Sequence, residues 1–246
     1  SRGPPPGAWP GIAIDMASVM RPAVSHDAHH MESPVTDAPD APDAGGPRAR
    51  AKRESLRRIL VAASARLRRE GLAGAAIAPV MKEAGLTHGA FYAHFRDKDD
   101  LAVAAFRQAF ATERERWIGT AKDGSWPARA RRLAGRYLTR RHRDEPGEGC
   151  AFAALATDAA RAPEPFREAY AQELRATLAA IRGAPDDDPM RPPPPDHAAA
   201  MLALCVGGLS LARAVNDPEL SERLLAACRD AAGRLAEADA AAAPPD

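Results

Sequence analysis

Three cysteines in 246 residues, at positions 150, 205 and 228, are too few and too scattered for a disulfide framework, and none forms the close pair of a zinc site. Aromatic residues make up 5% of the chain, and the β-branched residues that fill strands are scarce beside alanine. Sheets are therefore disfavoured and helix is the expected state. No run of eighteen purely apolar residues occurs, and the N-terminus lacks the basic-then-apolar order of a secretory signal. Those absences point to a cytoplasmic protein with no membrane segment. The signatures of common catalysts are missing too: there is no nucleophile elbow, glycine-rich phosphate loop, metal-ligand pair or paired carboxylates. Cys150, His142, Asp144 and Asp158 could be imagined as a nucleophilic site, but their spacing does not favour one. The chain is expected to be no enzyme and to carry no cofactor or metal.

What is present is a soluble, alanine-rich composition with 46% hydrophobic residues, enough for one large or two small domains. The formal net charge of +1 conceals a segregation. Residues 1–46 carry six acids against two bases, whereas residues 47–101 carry twelve bases against six acids. Positive charge is concentrated in one third of the chain.

Residues 1–46 are rich in Pro, Gly, Ala and Asp without apolar periodicity, which predicts a disordered N-terminal extension. Ser1 is not a methionine, and Met16, Met20 or Met31 could each begin translation. His26, His29 and His30 read as part of a solvated tail rather than a metal site. Order is expected from Pro47, where Leu56, Ile59, Leu60, Ala63 and Leu67 recur at helical spacing until Gly71. A short helix over Ile77, Val80, Met81 and Ala84 ends at Gly85, and Thr87 offers a cap for a third helix to about Phe95. Two short helices about a tight turn form the pattern of a helix-turn-helix. Asp97 caps a long helix from Lys98 to about Lys122. Further helices are expected from Pro127 to Arg143, Cys150 to Arg161, Pro163 or Pro165 to Arg182, Asp196 or His197 to Val215, and Glu219 to Ala238. A proline-rich loop spans Gly183 to Pro195. The fold class is all-α, with about nine helices.

The second helix of a helix-turn-helix enters the major groove, so its first residues must be small or able to meet base edges and phosphates. Thr87, His88, Gly89 and Ala90 fit that demand. Phe91 and Phe95 are expected in the core against Leu56, Ile59 and Val80, with Tyr92 and His94 facing outward. Lys98 opens a helix, where a cation is disfavoured unless an anion such as phosphate faces it.

The stretch GLTHGAFYAHFRDKDDL, Gly85 to Leu101, resembles the signature of the TetR family of bacterial transcriptional repressors. The match spans Ile77 to Leu101, and the form with His88, followed by GCxxAAL at Cys150 to Leu155 and LARAVNDPELSERLL at Leu211 to Leu225, is similar to one sub-branch. The resemblance covers about residues 48–238. It implies base-edge contact from Thr87 and His88, close approach at Gly89, phosphate contact from Tyr92, His94 and Lys98, and basic contacts from Arg48, Arg50 and Lys52. Pro79 departs from the family pattern, which usually has a polar helix former there. The resemblance further implies residues 47–97 as a three-helix DNA-binding domain and residues 98–240 as a larger effector-binding and dimerisation domain.

The expected partners are a double-stranded, palindromic DNA operator, a second copy of the chain and a small-molecule effector that releases the DNA. Apolar Trp117, Tyr137, Phe152, Phe166 and Tyr170 are candidates to line the effector site. The final hairpin, with Met201, Leu202, Leu204, Leu209, Leu211, Leu224, Leu225 and the Gly207-Gly208 pair, is the candidate dimer surface. Cys150, following Gly149 at a helix start, is a candidate reactive thiol. It offers an alternative reading, an electrophile or redox sensor on the same DNA-binding scaffold.

Overall fold

The computed structural model describes residues 46–118, 125–182 and 195–242. The expected disordered extension with its histidine cluster, the end of the long helix near Lys122 and nearly all of the proline-rich loop lie outside the described residues. Among the described residues there are ten α-helices, two 3-10 turns and no strand.

Helix α1 (Pro47–Glu70) begins with proline at its first position, where the missing N–H has no role. It buries Leu56, Ile59, Leu60, Ala63 and Leu67 along one face and ends where Gly71 takes φ +69°. A 3-10 turn (Gly71–Ala75) leads into α2 (Ile77–Glu83). Pro79 sits within the first turn of α2 and is tolerated there, so the departure at that position leaves the helix intact.

Helix α3 (His88–Phe91) is shorter than expected, since the chain turns after Phe91 instead of continuing as helix to Phe95. The N–H groups of His94 and Phe95 both turn back to the Phe91 carbonyl. Thr87 occupies the N-cap position, yet its hydroxyl makes no capping bond, contrary to expectation.

Helix α4 (Lys98–Ile118) runs unbroken for 21 residues, about 30 Å, out of the basic region and into the rest of the molecule. Asp97 caps it as expected, its Oδ1 accepting from the N–H groups of Asp99 at 2.9 Å and Asp100 at 2.8 Å.

The helix expected from Pro127 to Arg143 is two helices, α5 (Trp126–Tyr137) and α6 (Arg140–Asp144). The chain bends at Leu138, which is itself fully buried, and Thr139 restarts the helix by accepting the His142 N–H at 3.1 Å. After a 3-10 turn (Pro146–Glu148) come α7 (Ala151–Ala159), α8 (Glu164–Arg182), α9 (Pro195–Ala214) and α10 (Pro218–Ala242). Asp217 caps α10 through the N–H groups of Glu219 and Leu220.

One continuous core joins the N-terminal helices to the C-terminal ones. α1 packs along α4, the Pro146–Glu148 turn and α7, while α10 lies between α9 and α5. Residues 197–214 of α9 are long and apolar enough to cross a membrane, with mean hydropathy 1.4, yet Ala198, Met201, Leu202, Cys205, Leu209 and Ala212 belong to the core.

Candidate DNA interface and effector cavity

The turn between α2 and α3 is held from two sides. Gly85 has φ +65°, which favours glycine, and a Cβ there would lie 2.4 Å from the Arg58 guanidinium. Arg58 donates to the Gly85 carbonyl at 3.0 Å, and Leu86 N–H closes onto the Met81 carbonyl at 2.9 Å. Beneath the turn Phe91 and Phe95 are buried with Leu56, Ile59 and Val80, as expected. This packing presents α3 on a fixed support.

The residues expected at DNA lie around that support. Arg48, Arg50 and Lys52 are exposed on the first turns of α1. Thr87, His88 and Gly89 are exposed at the start of α3, and the space beside Gly89 is open, so packing does not require its smallness. Tyr92 is 62% exposed, with its ring edge-on to Phe91 at 5.2 Å and His88 at 5.9 Å. Lys98 is exposed and makes no ion pair among the described residues. Asp97 is engaged in the helix cap, and Asp100 pairs with Arg96.

His94 differs from the outward-facing side chain expected. It is partly buried, with Nε2 2.8 Å from the Ser55 hydroxyl on α1. That hydroxyl donates to the Lys52 carbonyl at 2.9 Å, which leaves its oxygen to accept from His94 Nε2–H. Burial, and secondarily the nearby Lys52 charge, lower the His94 pKa. The roles of Ser55 and Arg58 escape sequence reasoning, because each meets a partner more than 25 residues away along the chain.

Residues 59–105 match the family described as bacterial regulatory proteins, tetR family. Over these residues the chain resembles the N-terminal region of the TetR family. A TetR-family regulator from Chloroflexus aurantiacus is similar in structure, with TM-score 0.59 at 24% identity over 75% of this chain and 95% of that one. A transcriptional regulator from Rhodococcus sp. has TM-score 0.55 at 26% identity over 74% and 96%. Escherichia coli NemR in its reduced form has TM-score 0.56 at 20% identity over 72% and 96%. Among curated proteins no relative matches. The matched residues hold the helix-turn-helix, and the similar solved structures share the helical fold around it.

In the larger helical region, α4, α5, α7, α8 and α9 line a small, partly open cavity of about 30 Å³. Of the expected effector-site residues, Trp117, Tyr137 and Phe152 line it. Phe166 and Tyr170 do not; they pack on Phe106, with ring centroids 5.0 and 5.4 Å from it, behind the cavity wall, and Tyr170 meets the lining residue Phe152 edge-on at 5.2 Å. The lining also includes Arg114 and Thr177, which sequence patterns did not single out, and Leu202, expected instead at the dimer surface.

Cys150 and Cys205 line the same cavity. None of the three cysteines is in a disulfide, and burial pushes the Cys205 thiol up to about 12. Cys150 is buried at the N-cap of α7, and its backbone N–H donates to His142 Nε2 at 2.8 Å. The other ring nitrogen, Nδ1, donates to the Tyr137 carbonyl at 2.7 Å. His142 therefore has both nitrogens occupied by backbone and is unavailable as a base toward the thiol. Asp158 accepts from the Leu72 N–H at 3.0 Å and Asp144 pairs with Arg143, so the residues imagined as a nucleophilic site serve separate structural bonds. Among the described residues no group of His, Cys, Asp and Glu could hold a metal ion.

Proposed function

We propose that this chain is a TetR-family repressor that binds a palindromic operator as a homodimer and is released by a small molecule held in the five-helix cavity. In this reading residues 47–97 bind DNA, and residues 98–240 hold the effector and the dimer surface. Thr87 and His88 read base edges, Gly89 permits close approach, and Arg48, Arg50, Lys52, Tyr92 and Lys98 meet phosphates. His94 joins α1 to the recognition turn, and phosphate contact from it requires the imidazolium.

The observation that carries this reading is the continuity of α4. Its first residue, Lys98, stands exposed beside the recognition turn, while Phe110, Arg114, Trp117 and Ile118 at its far end line the cavity. A ligand that displaces the far end must tilt a helix to which the DNA-facing end is rigidly joined. A second linkage supports it: Asp158 at the end of α7 accepts from Leu72, and Arg68 of α1 donates to the Gly147 carbonyl at 2.7 Å.

The test is binding of the purified chain to the DNA flanking its own gene, against random duplex of equal length. Specific binding should fall steeply with added salt as phosphate counterions are exchanged. Equal affinity for both duplexes overturns the assignment as a sequence-specific repressor.

The thiol-sensor alternative draws on the position of Cys150 in the cavity wall. It requires operator release by a mild alkylating agent in wild type and no release in Cys150→Ser. Release that persists in the serine variant leaves the reversibly bound effector as the mechanism.

A further inference from the structure

The cavity is lined chiefly by hydrocarbon, aromatic and thiol groups, including Phe110, Leu133, Tyr137, Phe152, Ile181 and Leu202. Set into that wall are three hydrogen-bonding groups that are buried without any partner in the protein: Trp117 Nε1, Thr177 Oγ1 and Arg114 Nε. Trp117 is 9% exposed and Thr177 7%. A buried polar group that finds no partner costs about 1–3 kcal/mol, so three around one small cavity are a concentrated expense for a fold to carry. Two of them, the indole and guanidinium N–H groups, can only donate, and the threonine hydroxyl can donate as well.

The Trp117 ring cannot easily turn away to find a partner. It stacks on His142 at 4.0 Å and 17°, and Arg116 covers it at 4.8 Å from the ring centre. His142 is itself fixed by bonds to the Cys150 N–H and the Tyr137 carbonyl. Arg114 is likewise anchored, since its Nη2 pairs with Glu173 on α8. That pairing cancels the local charge, leaving donors but no uncompensated cation at the wall.

We propose that the effector is a flat, uncharged carbonyl compound, its ring held among the aromatic walls and its oxygen accepting from Thr177, Trp117 and Arg114. A carbonyl oxygen has lone pairs for these donors and brings no charge into an apolar site. A carboxylate would bring one without an unpaired cation to meet it. The open volume of about 30 Å³ is well below what a ring needs, so entry must push helices apart. This inference rests on the reading of the cavity as the effector site, and it adds the chemistry of what enters.

Acetophenone serves as the probe, with α-methylstyrene, in which a methylene replaces the oxygen, and benzoate as comparisons. Calorimetric titration of the full chain without DNA should show acetophenone binding at least tenfold more tightly than either comparison. Thr177→Val should weaken acetophenone about tenfold and leave α-methylstyrene unweakened, while Thr177→Ser restores acetophenone. Because Thr177→Val removes an unpartnered buried hydroxyl, the ligand-free variant should also melt at a higher temperature than wild type, which shows that it folds. The proposal is overturned if acetophenone does not bind, if α-methylstyrene or benzoate binds as well, or if Thr177→Val leaves acetophenone affinity unchanged or lowers the melting temperature. Operator release is measured separately: binding with the expected pattern but no release upholds the ligand chemistry and defeats the repressor reading alone.

Discussion

His142 shows how one side chain can decide local structure without touching DNA or ligand. It is 3% exposed, stacked on Trp117, and joined through its two nitrogens to Tyr137 and Cys150. Burial is the main reason that its pKa falls to about 3, with the Arg213 and Arg116 charges adding to the effect against the Tyr137 hydrogen bond. The native state thus keeps a neutral imidazole while the unfolded chain takes up a proton below its ordinary value of 6.5. Stability should be complete above pH 6.5 and fall as the pH drops from there towards 3, by about 5 kcal/mol in all for this group. Urea melts across that range test it, and His142→Gln should flatten the slope. A wild-type stability independent of pH between 6.5 and 4 contradicts the buried neutral histidine. The sequence names His142 and Cys150 but not their relation, because the bond runs to the cysteine's amide and not to its thiol. Gly149 fits the same cluster: a Cβ there would lie 2.5 Å from Arg213 and 3.0 Å from His142.

At the scale of elements, helices with a clear apolar period and a proline or glycine at their ends were readable from sequence, as α1, α4 and α8 show. The bend at Leu138 was not readable, since it depends on Thr139 capping a new turn and on His142 bonding the backbone of Tyr137 and Cys150 on either side of it. The early end of α3 is of the same kind: Phe91 and Phe95 sink into the core, while His94 is drawn to Ser55 on α1. The result is a helix of one turn, whose Thr87 hydroxyl makes no capping bond. Thr87→Ala and His88→Ala should each relax base preference by about 1–3 kcal/mol, whereas Lys98→Ala should weaken operator and random DNA alike. Competition binding with single-base operator variants separates the two classes. Equal losses on both kinds of DNA for all three variants would remove the base-reading role of α3.

For the whole molecule, the final hairpin carries two different surfaces that its sequence presents as one. Met201, Leu202, Leu209 and Leu225 are buried within the protomer, and Gly208 is too: a Cβ there would lie 2.6 Å from Cys228 Sγ and 3.2 Å from Leu138. Gly208 therefore serves the crossing of α9 with α10 inside one chain, correcting its expected place at the dimer contact. The other face of α9 bears Ala200, Leu204, Gly207, Leu211 and Ala214 at alternating spacings of four and three, none of them buried, with Leu211 56% exposed and open space beside Gly207. Such a row has the spacing of a helix-pair seam, and a second copy would cover it in a four-helix arrangement. A partner on that face would also account for the membrane-like apolarity of residues 197–214, since a helix with a core face and a partner face has little room for charge. Leu211→Arg should leave the thermal transition of the protomer nearly unchanged but give a monomer by sedimentation. Operator affinity should then fall about a hundredfold or more, because the second half-site is no longer held by the first. Gly208→Leu should instead lower the melting temperature by overpacking the protomer core. If Leu211→Arg remains dimeric and binds the operator normally, the dimer surface lies on another part of the molecule.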